Sequence, residues 1–278
     1  MGGQAAAAKK GTGIDMKNNN GKGKRVLAVL LILAALALLL LIFGGNIMNE
    51  IKKLTHEGNL PKYSPERVEP LSESPLRGYN VLYLGSSVTN GSASLGDSFA
   101  EYIAKRHGTE YLKEAVNGTT LVAGKSSYIE RLEKIDKASE FDLVICQLST
   151  NDATRGEPLG APSLTETPDV STVCGAIEHI INYVRDTFDC PVIFYTNSYY
   201  ESENYAAMVA ALHEIAELYG VGVIDLYTDT DFNEISDAKR ALYMADSIHP
   251  TRAGYLEWWT PEIEKGVIEY LENGGFID

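Results

Sequence analysis

Short apolar runs alternate with amphipathic stretches along most of this chain, and that alternation predicts its architecture. Val81 to Leu84 and Pro191 to Tyr195 are continuous apolar runs, and Leu143 to Leu148 and Val221 to Leu226 are apolar but for Gln147 and Asp225. That is the pattern of strands covered on both faces. Tyr111–Val116 is a weaker candidate strand. Between the strands, Ser98–Arg106, Ser126–Lys137, residues 172–187 and residues 203–219 carry helical periodicity. Phe99, Tyr102 and Ile103 share one face of the first of these helices. A last helix is expected from about Thr251 to Asn273. Residues 152–169 hold three prolines and no period, so they are expected to form a long loop. About five strands alternating with helices predict an α/β fold, a flavodoxin-like doubly wound parallel sheet rather than a barrel, which needs eight.

The N-terminal pattern differs. Val26 to Phe43 is an unbroken apolar run of 18 residues. As a helix it spans roughly 27 Å, enough for a hydrocarbon core, so a transmembrane helix is expected. Residues 1–25 carry six bases and one acid, which favours a cytoplasmic N-terminus and an outward-facing domain. No small-residue cleavage site follows the run, and a retained signal anchor is expected over a cleaved signal peptide. The expected organisation is a disordered basic tail (1–25), a membrane anchor (26–43), a stalk (44–76) with one short helix near Asn49–Leu54, and one domain (77–278) placed outside the cell.

The formal net charge is −14, and after residue 25 the chain has 18 bases against 37 acids. Such a surface repels nucleic acid and anionic membrane surfaces and leaves neutral or cationic ligands. Cys146 lies in a strand pattern and is expected to be a buried thiol. Cys174 and Cys190 flank a helix about 24 Å long, too far apart for a disulfide. They are expected to be free thiols, and no zinc-type spacing is present.

Four short motifs then change the picture from fold to chemistry. Gly85-Ser86-Ser87, Asn117-Gly118 and Thr150-Asn151-Asp152 each sit where a predicted strand ends, and Asp246-Ser247-Ile248-His249-Pro250 precedes the last helix. Ser87 is a candidate nucleophile in a tight turn. His249, unlike the other histidines, has an acid three residues upstream, so Asp246 can accept from one ring nitrogen while the other faces the serine. The Asn151 amide and the unobstructed Gly118 N–H are candidate donors to a developing oxyanion. Taken singly, each motif has a plain reading as a turn or helix cap. Asp152 is expected to be a structural acceptor. Asn90-Gly-Ser and Asn117-Gly-Thr match glycosylation acceptors but fall inside the candidate site.

These residues resemble the SGNH hydrolase superfamily of GDSL-type esterases and lipases, from about Tyr79 to Glu272. The first block reads Leu84-Gly85-Ser86-Ser87, with Ser86 in place of the usual aspartate. The second falls on Gly118. The third reads Ser149-Thr150-Asn151-Asp152, without its usual first glycine, and the last is intact as Asp246 and His249. The resemblance implies a Ser87–His249–Asp246 triad and an oxyanion hole made by the Ser87 N–H, the Gly118 N–H and the Asn151 side chain. It implies no metal and no organic cofactor.

The expectation is therefore a membrane-anchored serine esterase that forms an acyl-enzyme. Short acyl or acetyl esters, borne on carbohydrate, are the expected substrates. A lysophospholipase or lipase activity and an acyltransferase using the same triad are the alternatives, and a silent binding module is a third. Activity is expected to fall below about pH 6, because the base must be neutral at rest. Tyr199 and Tyr200 are candidates to stack on sugar rings, whereas Trp258 and Trp259 are expected in the core. A Rossmann dinucleotide site is not supported, since no G-x-G-x-x-G follows the first strand.

Overall fold

The computed structural model describes residues 27–32, 45 and 48–277. The chain divides into two compact units, 1–51 and 52–278, and the second contains the sheet. The tail 1–25 and most of the apolar run 26–43 lie outside the described residues, while 27–32 are helical and exposed. Among the described residues no helix is long and apolar enough to cross a membrane.

Five parallel strands form one sheet: β1 (Asn80–Gly85), β2 (Glu110–Ala115), β3 (Leu143–Gln147), β4 (Val192–Tyr195) and β5 (Gly222–Ile224). Their order is β2-β1-β3-β4-β5, so the winding reverses between β1 and β3. In doubly wound sheets such a reversal opens a crevice beyond the carboxyl ends of those two strands. The helices are α1 (Ser87–Asn90), α2 (Phe99–His107), α3 (Tyr128–Leu132), α4 (Thr150–Arg155), α5 (Val173–Phe188), α6 (Glu203–Tyr219), α7 (Thr230–Asn233), α8 (Asp237–Tyr243), α9 (Arg252–Gly254) and α10 (Thr260–Asn273).

Alternate side chains along each strand feed two cores. Leu82, Leu84, Val144, Cys146, Val192 and Phe194 pack with α5 and α6 on one face. Val81, Tyr83, Leu143, Ile145, Ile193 and Tyr195 pack with α2 and α10 on the other. Both faces are covered, which is why the strands appear in sequence as continuous apolar runs. All three cysteines are buried and free. Trp258 and Trp259 are buried in the second core, Trp258 stacked on Phe232 with ring centroids 4.5 Å apart.

The folded unit begins earlier than expected. Within the segment read as a stalk, 44–76, residues 57–67 form three short 3-10 turns, and Tyr63, Val68 and Leu76 join the second core. The Tyr102 hydroxyl donates to the Tyr63 carbonyl at 2.7 Å. The turn led by Pro61 buries Tyr63 and the one led by Pro65 buries only its following cap, Val68, with no period between them, so the pattern resembles a linker. The expected long loop 152–169 begins inside α4, which Ser149 caps through its hydroxyl. Further along, the Ser163 N–H and hydroxyl donate to the buried Glu178 carboxylate at 2.6 and 2.9 Å and pin the loop to α5. The expected helix 126–137 is only Tyr128–Leu132. The last helix widens to a π turn over Tyr255–Trp259 before α10 begins.

Candidate active site

The site starts with a turn that only glycine permits. A Cβ on Gly85 would lie 1.7 Å from Thr89 Oγ1 and 2.9 Å from Gln147 Oε1. The chain leaves β1 there and enters α1 at once, so Ser87 occupies the first helical position. An N–H at that position has no carbonyl one turn behind it. Ser87 is 8% exposed.

Gln147, the last residue of β3, closes this turn from beside it. Its Oε1 accepts from the Ser86 N–H at 2.9 Å, the Thr89 N–H at 3.2 Å and the Thr89 hydroxyl at 2.8 Å. With the Ser86 hydroxyl at 3.4 Å, four donors converge on one oxygen and fix the amide orientation. The Thr89 hydroxyl also meets the Tyr195 hydroxyl at 2.6 Å.

The histidine comes from the other end of the chain. His249 Nε2 lies 2.8 Å from Ser87 Oγ. Its Nδ1 lies 2.8 and 3.0 Å from the two carboxylate oxygens of Asp246. A carboxylate at Nδ1 selects the tautomer protonated there, which leaves Nε2 to accept from the serine hydroxyl. Asp246 Oδ1 also accepts from the Ile248 and His249 N–H groups, each at 2.8 Å. Partial burial pushes the Asp246 carboxyl up, but the hydrogen bond and charge of His249 and the two N–H donors outweigh it and hold it at about 2. Asp246 therefore stays ionised throughout the physiological range. The strand-like pairing of Met244 with Pro250 closes the loop that carries both residues.

The candidate oxyanion donors flank Ser87 in the sheet. Gly118 follows β2, Asn151 opens α4 after β3, and β1 lies between those two strands. Gly118 has φ +75°, a conformation open to glycine. The Asn151 side-chain amide donates to the Thr119 carbonyl at 2.9 Å, so one of its two N–H groups holds the Gly118 loop and the other remains. Arg155 donates to the Gly118 carbonyl at 2.6 Å. Asp152 is fully buried and accepts from the Leu121 and Val122 N–H groups at 2.8 and 3.1 Å. Burial raises its carboxyl above the usual range, against the lowering effect of the Ser149 hydroxyl and those two N–H groups. It is the structural acceptor expected from the sequence, and it ties the β2 loop to α4. The asparagines of the two glycosylation motifs bond to each other, Asn90 Nδ2 donating to Asn117 Oδ1 at 2.9 Å.

Two contributors went unrecognised in the sequence, Gln147 and Arg131. Arg131 is 8% exposed and donates to the Gly85 carbonyl at 2.7 Å, to the Glu114 carbonyl, to the Ser126 carbonyl at 3.2 Å and to Thr119 Oγ1 at 3.3 Å. One buried guanidinium thus joins the exits of β1 and β2. A charged residue inside an amphipathic helix gives no local sign of such a role. Tyr199 is exposed just past β4, whereas Tyr200 packs on Tyr205 and Tyr227. Among the described residues no group of acidic, histidine or cysteine side chains is arranged to hold a metal ion.

Chemically, the arrangement offers a hydroxyl whose proton has an acceptor, a carboxylate to stabilise the imidazolium that would form, and donors on both sides of the hydroxyl. Comparison with known proteins agrees with that chemistry. Residues 83–256 match the GDSL-like Lipase/Acylhydrolase family. No curated protein matches the chain. Among solved structures, a protein from Lactobacillus plantarum is 20% identical with a TM-score of 0.58, over 71% of this chain and 98% of that one. An acetyl xylan esterase is 14% identical with a TM-score of 0.50, over 68% of this chain and 99% of that one. An acetyl-xylooligosaccharide esterase from Geobacillus is 16% identical with a TM-score of 0.50, over 70% of this chain and 94% of that one. At these identities the structures speak for a shared fold. The match over more than half of its length establishes that the chain belongs to the GDSL-like lipase/acylhydrolase family, within the SGNH hydrolase superfamily, and is an ester-bond hydrolase.

Proposed function

We propose that this protein is a serine esterase in which Ser87, His249 and Asp246 act as a triad. The observation that carries the reading is the unbroken chain of contacts from Ser87 Oγ to His249 Nε2 at 2.8 Å and from His249 Nδ1 to Asp246 at 2.8 Å. Ser87 Oγ attacks the ester carbonyl carbon while His249 Nε2 takes its proton. The carbonyl oxygen becomes an oxyanion and accepts from the Ser87 N–H, the Gly118 N–H and the free N–H of Asn151. Collapse of that intermediate breaks the bond to the alcohol, which leaves with the proton from His249. Water, deprotonated by His249, then attacks the acyl-serine and releases the acid.

The proposed substrates are short acyl esters, acetyl above all, on a neutral carbohydrate. The excess of acids over bases after residue 25 disfavours anionic polymers. The exposed Tyr199 ring past β4 is suited to stack on a sugar. Two structures of the same fold are esterases named for acetylated xylan and xylo-oligosaccharides. The apolar run 26–43 behind its basic flank supports tethering to a membrane with the hydrolase unit outward.

The test is turnover of p-nitrophenyl acetate, butyrate and octanoate by the protein and by Ser87→Ala and His249→Ala. Loss in both variants with a preference for acetate is the expected result. A preference for octanoate would move the substrate to lipid. Acyl transfer to an added alcohol in preference to water would make the enzyme a transferase. Turnover that survives Ser87→Ala would refute the triad.

A further inference from the structure

The Ser87–His249 contact joins side chains 162 residues apart, Ser87 at the start of α1 with its exit turn and His249 on the loop before α9. Something must hold the two loops in register. The segment before the matched region does so. Asn59 is 3% exposed, and its side chain reaches both loops. Its Nδ2 donates to the Ala93 carbonyl at 2.7 Å and to the Lys53 carbonyl at 2.9 Å. Its Oδ1 accepts from the Arg252 N–H at 3.0 Å. Ala93 lies in the turn that leaves α1, where the Ser92 N–H donates to the Ser87 carbonyl at 3.0 Å. Arg252 is three residues past His249. A second link runs parallel, with Arg252 Nε donating to Asp97 Oδ2 at 2.6 Å.

The approach of this segment is tight. A Cβ on Gly58 would lie 2.1 Å from the Leu242 carbonyl oxygen and 2.3 Å from Thr251 Oγ1. Thr251 holds its loop through its hydroxyl, 2.8 Å from the Leu242 carbonyl. Gly58 therefore allows the backbone close enough for Asn59 to insert between the loops. Both amide hydrogens and the amide oxygen of Asn59 are used, as a buried amide requires.

We propose that Asn59 is a positioning residue for the esterase reaction, clasping the loop that follows the nucleophile to the loop that follows the histidine. The proposal rests on the assignment of Ser87 and His249 above. Asn59 touches neither reacting group. It acts on the distance between them, and a misplacement of about 1 Å costs on the order of a hundredfold in rate. The hydrolase unit thereby depends on a segment that lies outside the matched region 83–256.

The experiment uses the full chain with Asn59→Ala, Asn59→Asp, Gly58→Ala and, as a control on the same segment, the exposed Glu69→Gln. Asn59→Asp keeps the volume and an acceptor for the Arg252 N–H but replaces two N–H donors by at most one O–H, and Asn59→Ala removes the clasp altogether. Folded protein is quantified by circular dichroism, and kcat for p-nitrophenyl acetate is expressed per folded molecule. The expected result is a kcat lower by about tenfold or more in each Asn59 variant and in Gly58→Ala, with KM within about twofold and Glu69→Gln unchanged. A purely structural strut would lower Tm and leave kcat per folded molecule at the wild-type value, and that result in both Asn59 variants would overturn the proposal. Wild-type protein without turnover, or turnover indifferent to Ser87→Ala, would instead overturn the underlying site assignment.

Discussion

Gln147→Leu is the sharpest perturbation of the turn that presents Ser87. The substitution keeps volume and removes Oε1, the acceptor of the Ser86 and Thr89 N–H groups at 2.9 and 3.2 Å. Ser86 and Thr89 are both 0% exposed, so water cannot replace the lost acceptor. The Thr89 hydroxyl keeps a partner in the Tyr195 hydroxyl at 2.6 Å and need not be counted. Two buried donors left unmet cost about 1–3 kcal/mol each, or about 2–6 kcal/mol together, and removal of the buried Gln147 Nε2, which has no partner among the described residues, returns about 1–3 kcal/mol, for a net loss of about 1–3 kcal/mol. At about 2–4 °C per kcal/mol for a domain of this size, Tm falls by at least about 2 °C. Differential scanning calorimetry measures the shift. A double-mutant cycle with Thr89→Val reads a further contact, the Thr89 hydroxyl to Oε1 at 2.8 Å, and the two effects should depart from additivity by about 0.5–3 kcal/mol. Esterase activity per folded molecule should fall as well, since α1 is no longer seated on β3. A Tm equal to that of the wild type, or strictly additive effects in the cycle, would refute the claim that Gln147 holds the nucleophile turn.

Other consequences follow from the same geometry. Asn151→Ala removes one proposed oxyanion donor and the tie to the Thr119 carbonyl, and kcat for p-nitrophenyl acetate should fall about 10²–10³-fold; a loss under twofold in steady-state assays would exclude Asn151 from the hole. Gly85→Ala places a Cβ against Thr89 Oγ1 and Gln147 Oε1, and urea denaturation should show a loss of about 1–3 kcal/mol. Asp246 is held at about 2, below its ordinary 3.8. Its contribution to stability is therefore complete above 3.8 and is lost as pH falls through 2, and Asp246→Asn should flatten the fall in Tm across that acid window.

The sheet could be read from sequence because burial on both faces writes each strand as a continuous apolar run. β1, β3, β4 and β5 were found this way, and even the edge strand β2 fell within a residue of its place. Ser87, Gly118, Asn151, Asp246 and His249 could be read as candidates because each belongs to a short motif at a strand end or before a helix. Their supports could not. Gln147 acts on residues 58 to 61 positions away and Arg131 on Gly85, 46 positions away, and neither has a local pattern that announces its partner. Residues 57–76, part of the expected stalk 44–76, look like a linker in sequence because their turns are irregular, although Asn59 and Tyr63 are buried within them. The short helices α7 and α8 escaped notice for a related reason: at four and seven residues they are too short for a period to show.

The central claim is that Ser87 is the nucleophile, and covalent capture tests it most directly. The protein is incubated with a p-nitrophenyl alkylphosphonate, which transfers its phosphoryl group to an activated serine, and the adduct is located by peptide mass spectrometry. The account predicts one equivalent of p-nitrophenol released per folded molecule, the adduct on Ser87, and no capture in His249→Ala. An adduct on another serine, or none in protein that still hydrolyses p-nitrophenyl acetate, would contradict it.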